Sequence, residues 1–397
     1  MRVVHYLKWM RLSDGGTVRA VLDWCSALAA RGHQVTLITA DASDVPASWK
    51  SPDATSPRCL QVRVHDAIGR WLGKPVPPGA PDKPTQLLTP DSRTAIAQAL
   101  RGADCLHLHG VWATSNAQIA SIARSLGTPY VVSPHGMLDH WSLAQGAAKK
   151  RLHLALVSGR VLRNARNVLC TAEGELQQAA AHFEATRGRV VPLLFDTAPF
   201  LSLPGPAAAQ RALGLDPAVP AILFLSRLHV KKGADRLLRA AAALKDLPFT
   251  LVLAGPADPP EYAAELERLA AELGITDRVK FPGMVTGTDK ISLFCAASIF
   301  ALPTSQENFG FVILEAMSAG VPVVTTKGVD TWPELEASGG ALICDSSPAA
   351  LADCLRSLLR DAPKRAAMGA AARAWALNRL DPAAVIARYE EVYAGKA

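Results

Sequence analysis

Short apolar runs alternate with helix-length amphipathic stretches along the whole 397-residue chain. "RVVHYL", "QVTLITA", "CLHLHG", "YVVSPHG" and "NVLCTA" read as strands in the first half, and "AILFLSR", "FTLVLAG", "RVKFPG", "IFALPT" and "VPVVTT" in the second. Amphipathic stretches at 18–32, 116–127, 234–247 and 261–274 fit between them as helices. Apolar strands separated by helices build parallel sheets covered on both faces. The chain is longer than one core sustains. The expected fold is therefore α/β, with two Rossmann-like domains whose parallel sheets face a central cleft. The first domain is placed at 1–200, the second at 201–378, and a closing helix at 379–397.

One segment breaks the rhythm. Residues 43–92 carry prolines at 46, 52, 57, 75, 77, 78, 81, 84 and 90 and read as long and irregular. Such a run within a compact domain is either functional or a solvent-exposed insertion.

Charge separates the halves. Residues 1–200 hold 22 Lys and Arg against 14 Asp and Glu, a net of +8, and residues 201–397 are close to neutral at −1. The basic residues concentrate in "KKRLHLALVSGRVLRNARN", where Lys149, Lys150, Arg151, Arg160, Arg163 and Arg166 flank apolar positions. This is either a solvated helix face or a surface for anionic lipid. Nucleic acid is not expected, because no aromatic residues interleave with the cations. The seven cysteines are scattered without a CxxC pair, which argues for reduced thiols and against a zinc or disulfide framework. No apolar h-region opens the chain and no apolar run of spanning length follows, so the expectation is a cytoplasmic protein, peripheral on the membrane at most.

The chemistry concentrates in "ALPTSQENFGFVILEAMSAGVPVVTT" (301–326), a strand, loop, helix and strand in succession. Glu315 is the sole charge in an otherwise apolar helix. A buried carboxylate without a partner is costly, so Glu315 must snorkel, pair or receive a ligand. Ligands of open parallel sheets bind beyond the carboxyl ends of strands, where the loop carrying Glu307 lies. The N–H groups of Asn308, Phe309 and Gly310 open the helix and can cradle an anion such as diphosphate. Glu315 follows within reach of a ribose diol, which makes a bound nucleotide its candidate partner. In "FLSRLHVKKGADRLL", Arg227 and Lys232 lie on a loop after a strand, as a diphosphate leaving group requires. Gly15 and Gly16 lie between the first strand and a helix, where backbone can approach a ligand closely. His107 and His109 share a strand face and His135 ends a strand; His107 reads as a hydrogen-bonded core histidine.

Glu307 and Glu315, separated by seven residues inside "SQENFGFVILEAMSAGVPVVTT", resemble the E-x7-E unit of retaining GT-B glycosyltransferases of family 4. "SRLHVKKG" is similar to that family's G-R-L-x-x-x-K-G element, with Ser226 in place of the first glycine. "GG" at 15–16 and "ALAARGHQVTLIT" are similar to its first glycine loop, helix and second strand. "SPHGMLDHW" and "TWPELEASGGALICD" narrow the likeness to bacterial enzymes of surface-polysaccharide synthesis. The family often has "IPNGVD" at the domain junction. Here "VPLLFDTAPF" (191–200) lacks the asparagine and glycine, so the resemblance assigns no nucleotide contact to that loop.

The resemblance implies a GT-B hexosyltransferase that uses a nucleoside-diphosphate sugar, with retention of anomeric configuration. It implies that Arg227 and Lys232 stabilise the diphosphate and that Glu315 holds the ribose. Glu307 would hold donor-sugar hydroxyls, assisted by the amides of Phe309 and Gly310. It places His135 beside the donor sugar and makes His109 a candidate for the acceptor side. The acceptor would be a glycan or a lipid-linked oligosaccharide. No cofactor is expected, and without a DxD-type pair the metal expectation is none. A catalytically silent nucleotide-sugar-binding protein, or an epimerase or phosphorylase on the same fold, would share the pocket. An NAD oxidoreductase lacks support, since neither half carries the dinucleotide fingerprint.

Overall fold

The structure is a computed structural model that describes residues 1–51, 53, 55–66, 83 and 85–396. The chain divides into two compact units. The first comprises Met1–Thr171, Glu175–Leu194 and Ala383–Ala397; the second comprises Ala172–Gly174 and Phe195–Pro382.

The strands of the first unit are β1 (Arg2–Tyr6), β2 (Gln34–Thr39), β3 (Arg58–Gln61), β4 (Val64–Asp66), β5 (Gln86–Leu88), β6 (Cys105–His109), β7 (Tyr130–Ser133), β8 (Asn167–Cys170) and β9 (Gly188–Val190). Seven of them form one parallel sheet in the order β3-β2-β1-β6-β7-β8-β9. Every residue of β6, β7 and β8 is buried, which is why these strands read as continuous rather than alternating apolar runs. Strand order reverses between β1 and β6, the topological switch point at which ligands of such sheets bind.

The described residues of 43–92 are more regular than the prolines of that segment suggest. Pro46 caps a short helix, Ala47–Lys50, and β3 extends the edge of the main sheet. β4 and β5 pair antiparallel, and Pro90 occupies the first turn of the helix Pro90–Leu100, where a missing N–H costs nothing. These prolines therefore mark boundaries of elements. The remainder of that expectation falls on residues 52, 54, 67–82 and 84, outside the described residues.

The helix at the end of the chain, Pro382–Tyr393, buries Val385, Ile386, Tyr389, Val392 and Tyr393. The Tyr389 hydroxyl donates to the carbonyls of Val191 (3.2 Å) and Pro192 (3.0 Å), and Arg31 and His33 both hold the Glu390 carboxylate at 2.7 Å. Arg166 donates to the carbonyls of Val392 (2.7 Å) and Tyr393 (2.8 Å) at the helix C-terminus, where a cation is favoured. Arg166 was expected on the basic surface; it is instead a part-buried fastening for this helix.

The second unit has strands β10 (Ala221–Leu225), β11 (Thr250–Ala254), β12 (Val279–Gly283), β13 (Ile299–Leu302), β14 (Val323–Thr326) and β15 (Ala341–Cys344). They form a parallel sheet in the order β12-β11-β10-β13-β14-β15, with its switch point between β10 and β13. The two units thus repeat one doubly wound plan. All seven cysteines are free thiols. No helix among the described residues is long and apolar enough to cross a membrane.

Candidate active site

The candidate residues of the second unit gather at its switch point. After β10 the chain runs through Ser226 and Arg227 into a single tight turn, Val230–Lys232, closed by Gly233 in the left-handed region at φ 76°. A side chain on Gly233 would strike the carbonyl of Pro303, so only glycine lets this turn press against the loop after β13. The two loops are then stapled together. Ser305 N–H donates to the Lys231 carbonyl (2.8 Å), Lys231 Nζ to Gln306 Oε1 (2.8 Å), and Arg236 to the Pro303 carbonyl (2.6 Å).

Lys232 is only 7% exposed, and its ammonium is bound by the carboxylate of Glu307. Glu307 is fixed by its own backbone. Its N–H donates to the Gly328 carbonyl (2.8 Å) and its carbonyl accepts from Asp330 N–H (2.9 Å), so β14's exit loop holds it from behind. Asn308 donates its side-chain amide to Asp330 Oδ2 at 2.9 Å. The Phe309 ring is buried against Phe311, and Gly310 (φ 70°) caps the helix Phe311–Ser318.

Glu315, on that helix, is not without a protein partner. Lys290, on the helix Gly287–Ala296, reaches it at 2.6 Å, with the two side chains 27% and 18% exposed. Pairing is thus one answer to the isolated charge, and partial exposure leaves the carboxylate open to a ligand as well. Arg227 lies further out, paired with Asp258 at 2.7 Å on an exposed surface where such a bond contributes little stability. Three expected ligand-binding groups, Lys232, Arg227 and Glu315, are therefore each paired with an opposite charge. Lys290, Asp258 and Asp330 were not anticipated; each lies on a different element from its partner, and pairing across a sheet leaves no trace in local spacing.

In the first unit, Gly15 (φ 103°) and Gly16 form the exposed turn after β1 that opens the helix Gly16–Ala30. His109 ends β6, and His135 follows β7 with a left-handed backbone (φ 56°), the one such non-glycine residue among those described. The two rings meet, His109 Nδ1 lying 3.1 Å from His135 Nε2, and His5 Nδ1 on β1 lies 3.0 Å from His109 Nε2. Trp24 stacks on His109 with ring centroids 5.2 Å apart. Burial holds His135 down to about 4 and His5 to about 3, and pushes His109 well below the ordinary histidine value. All three are neutral imidazoles near pH 7. Glu175, buried after β8, accepts from Gly136 N–H (2.6 Å), Thr171 N–H (2.6 Å) and Thr171 Oγ1 (2.8 Å), and so pins the turn behind His135. Glu175 was not anticipated from the sequence.

His107 is the core histidine expected, bonded to Tyr393 Oη and Ser133 Oγ at 2.8 Å each. Ring nitrogens of His5, His107 and His109 lie within 4.8 Å of one another. Apart from His5 Nε2 their nitrogens are engaged with each other, with His135 or with those hydroxyls, and no carboxylate among the described residues joins them, so a metal there would have to break hydrogen bonds of His107 and His109.

The basic segment forms the consecutive helical stretches Ala147–His153, Leu154–Ser158 and Gly159–Asn164, the middle one a π turn. Leu152 and Leu156, one turn apart, are 61% and 71% exposed, among exposed Lys149, Arg151, Arg160 and Arg163.

Residues 208–375 match the family profile of glycosyl transferases group 1, and residues 15–193 match that of the glycosyl transferase 4-like domain. The chain is 32% identical to a D-inositol 3-phosphate glycosyltransferase of Salinispora arenicola over 391 residues, covering 92% of this chain and 84% of that one. It is 32% identical to the protein of the same name from Salinispora tropica over 74% of this chain and 65% of that one, and 34% identical to that from Streptomyces avermitilis over 63% and 57%. It thus spans less than two thirds of the length of these last two relatives. In fold it is similar to Anabaena Alr3699/HepE in complex with UDP and glucose (TM-score 0.72, 20% identity, 100% of both chains). A glycosyltransferase from Rickettsia africae superposes with TM-score 0.74 at 15% identity, over 100% of this chain and 98% of that one. Two Rossmann-like units with this topology make the fold GT-B, and the chain belongs to the group 1 glycosyl transferases with a glycosyl transferase 4-like domain.

Proposed function

We propose that this chain is a retaining, metal-independent hexosyltransferase. It moves a sugar from a nucleoside-diphosphate sugar to a hydroxyl of a glycan or lipid-linked acceptor in bacterial surface-polysaccharide synthesis. The observation that carries the reading is the Lys232–Glu307 pair at the switch point of the second sheet, with Glu315 in the helix that follows. Anions bind at such a point, and a buried ammonium there is a ready partner for a diphosphate. The UDP and glucose named with the Anabaena protein support a uridine donor.

In this reading Lys232 and Arg227 turn from Glu307 and Asp258 to the diphosphate oxygens, while Glu315 takes the ribose hydroxyls. Glu307, released from Lys232, accepts donor-sugar hydroxyls, and the N–H groups at 308–310 face the same ligand. The family resemblance assigns Gly15 and Gly16 to the donor phosphates and the acceptor, His135 to the donor sugar and His109 to the acceptor. No carboxylate is assigned below the anomeric carbon, so the reading is a same-face route. The bond from the anomeric carbon to the diphosphate breaks, the acceptor oxygen bonds to that carbon, and the acceptor proton passes to the departing phosphate oxygen.

The exposed Leu152 and Leu156 among lysines and arginines favour an acceptor presented at an anionic membrane. The relatives' name, D-inositol 3-phosphate glycosyltransferase, favours a second acceptor class, a small phosphorylated polyol. Incubation with UDP-, GDP- and ADP-sugars, with each acceptor class and with chelator, tests the reading by NMR of the product's anomeric proton. An axial donor should give an axial product at undiminished rate in chelator. Inversion, or activity restored only by Mg²⁺, would contradict it. Conversion of the donor without any acceptor would point to an epimerase or phosphorylase, and donor binding without turnover to a silent binding protein.

A further inference from the structure

The geometry points to His5 and His109 as positioning residues that act through His135. Three neutral imidazoles form one hydrogen-bonded chain of a single tautomeric sense, which fixes the ring of His135. This inference rests on the proposed placement of His135 beside the donor sugar.

A neutral imidazole has one N–H and one bare nitrogen. His109 uses both, with Nδ1 at 3.1 Å from His135 Nε2 and Nε2 at 3.0 Å from His5 Nδ1. If His135 donates from Nε2, His109 must accept at Nδ1 and donate from Nε2, and His5 must accept at Nδ1. All three are then Nε2–H tautomers. The reverse sense makes all three Nδ1–H. A mixed chain leaves two lone pairs or two N–H groups facing each other within a buried site.

The ends of the chain are alike. His135 Nδ1 and His5 Nε2 are both buried without a hydrogen-bond partner, so each sense strands one donor and one acceptor. The intrinsic preference of histidine for Nε2–H then decides, and it is counted three times over. Because both ends are covered, the chain orders a ring and does not carry protons to solvent. It also spans the switch point, joining β1, β6 and the turn after β7, which holds the left-handed backbone of His135 in place. His107 is equally buried but hydrogen-bonds to Ser133 and Tyr393 instead, which makes it an internal control.

The test is long-range ¹H–¹⁵N correlation of the ring nitrogens in histidine-labelled protein, with kinetics on the same samples. In the wild type, His5, His109 and His135 should all report the Nε2–H form. His109→Leu should leave His135 averaging between tautomers. It should lower kcat by about 10-fold to 100-fold, with KM for the nucleotide sugar little changed, as expected when a residue that orients a functional histidine is lost. His109→Gln, whose amide both donates and accepts, should restore part of the rate. His107→Asn should lower Tm yet leave the tautomer of His135 as it was. Should His109→Leu not fold, His5→Phe provides the same spectroscopic readout from the far end. Differing tautomers within the wild-type chain would overturn the inference, as would full activity of His109→Leu. In the latter case an inactive His135→Ala would leave His135 at the donor and remove only the chain, whereas a fully active one would remove that placement as well.

Discussion

Lys232, in the turn after β10, and Glu307, in the loop after β13, form an ion pair across the switch point of the second sheet. Their loops are held by backbone and side-chain hydrogen bonds on either side, which fix the pair in place. In the proposed function, the carboxylate that neutralises Lys232 is also its competitor for a diphosphate.

Substitutions at the two members of this pair should therefore act in opposite directions on nucleotide binding. Lys232→Ala removes a charged partner and should weaken nucleoside diphosphate binding by about 1.5–3 kcal/mol. Glu307→Gln frees the ammonium and should leave binding unchanged or tighter, while turnover falls. Calorimetry and initial rates on both variants check this, and equal losses of affinity would contradict it.

Acid should destabilise the first unit through its histidines. His135 is held at about 4 and His5 at about 3, below the unfolded value near 6.5. The unfolded chain thus binds the extra protons. Their stabilising contribution is complete above about pH 6.5 and is lost as pH falls through the folded values. Each group should add a slope of up to about 1.4 kcal/mol per pH unit within that window. Thermal melts from pH 7 to pH 4.5 should show Tm falling, and His135→Asn should flatten the slope.

The final helix should be coupled to the core of the first unit. Tyr393→Phe deletes the hydroxyl that pairs with His107 Nδ1 and should cost about 1–3 kcal/mol, because the nitrogen left behind is buried. Denaturant unfolding at pH 7 measures the loss, and an unchanged midpoint would separate this contact from stability.

Membrane association should need both the leucines and the cations. The wild type should co-sediment with vesicles of anionic phospholipid at low salt and be released as salt rises. Leu156→Asp should weaken binding with little change in Tm, since the side chain is 71% exposed. Absence of binding to anionic vesicles at low salt would remove this part of the account.

The strand–helix rhythm made the doubly wound plan of both units legible, because buried parallel strands are continuous apolar runs. The loop of Glu307 and the turn of Lys232 were legible for the same reason, as each directly follows such a strand. Lys290, Asp258 and Asp330 were not, since their roles arise from contacts between elements distant in sequence. The regular part of 43–92 was hidden by its prolines, of which Pro46 and Pro90 sit at helix starts. Arg166 was misplaced for a related reason. Its charge belonged to a basic run, but its guanidinium turns inward to the end of a helix more than 200 residues away.

If a nucleotide occupies the switch point of the second sheet with Glu315 on its ribose, calorimetric titration of UDP, GDP and ADP into the wild type, Glu315→Ala and Lys290→Met will show it. One nucleotide should bind the wild type. Glu315→Ala should lose about 1–3 kcal/mol of that affinity and Lys290→Met much less. Equal losses in both variants would make Glu315 only a partner for Lys290, and binding by none of the nucleotides would contradict the claim outright.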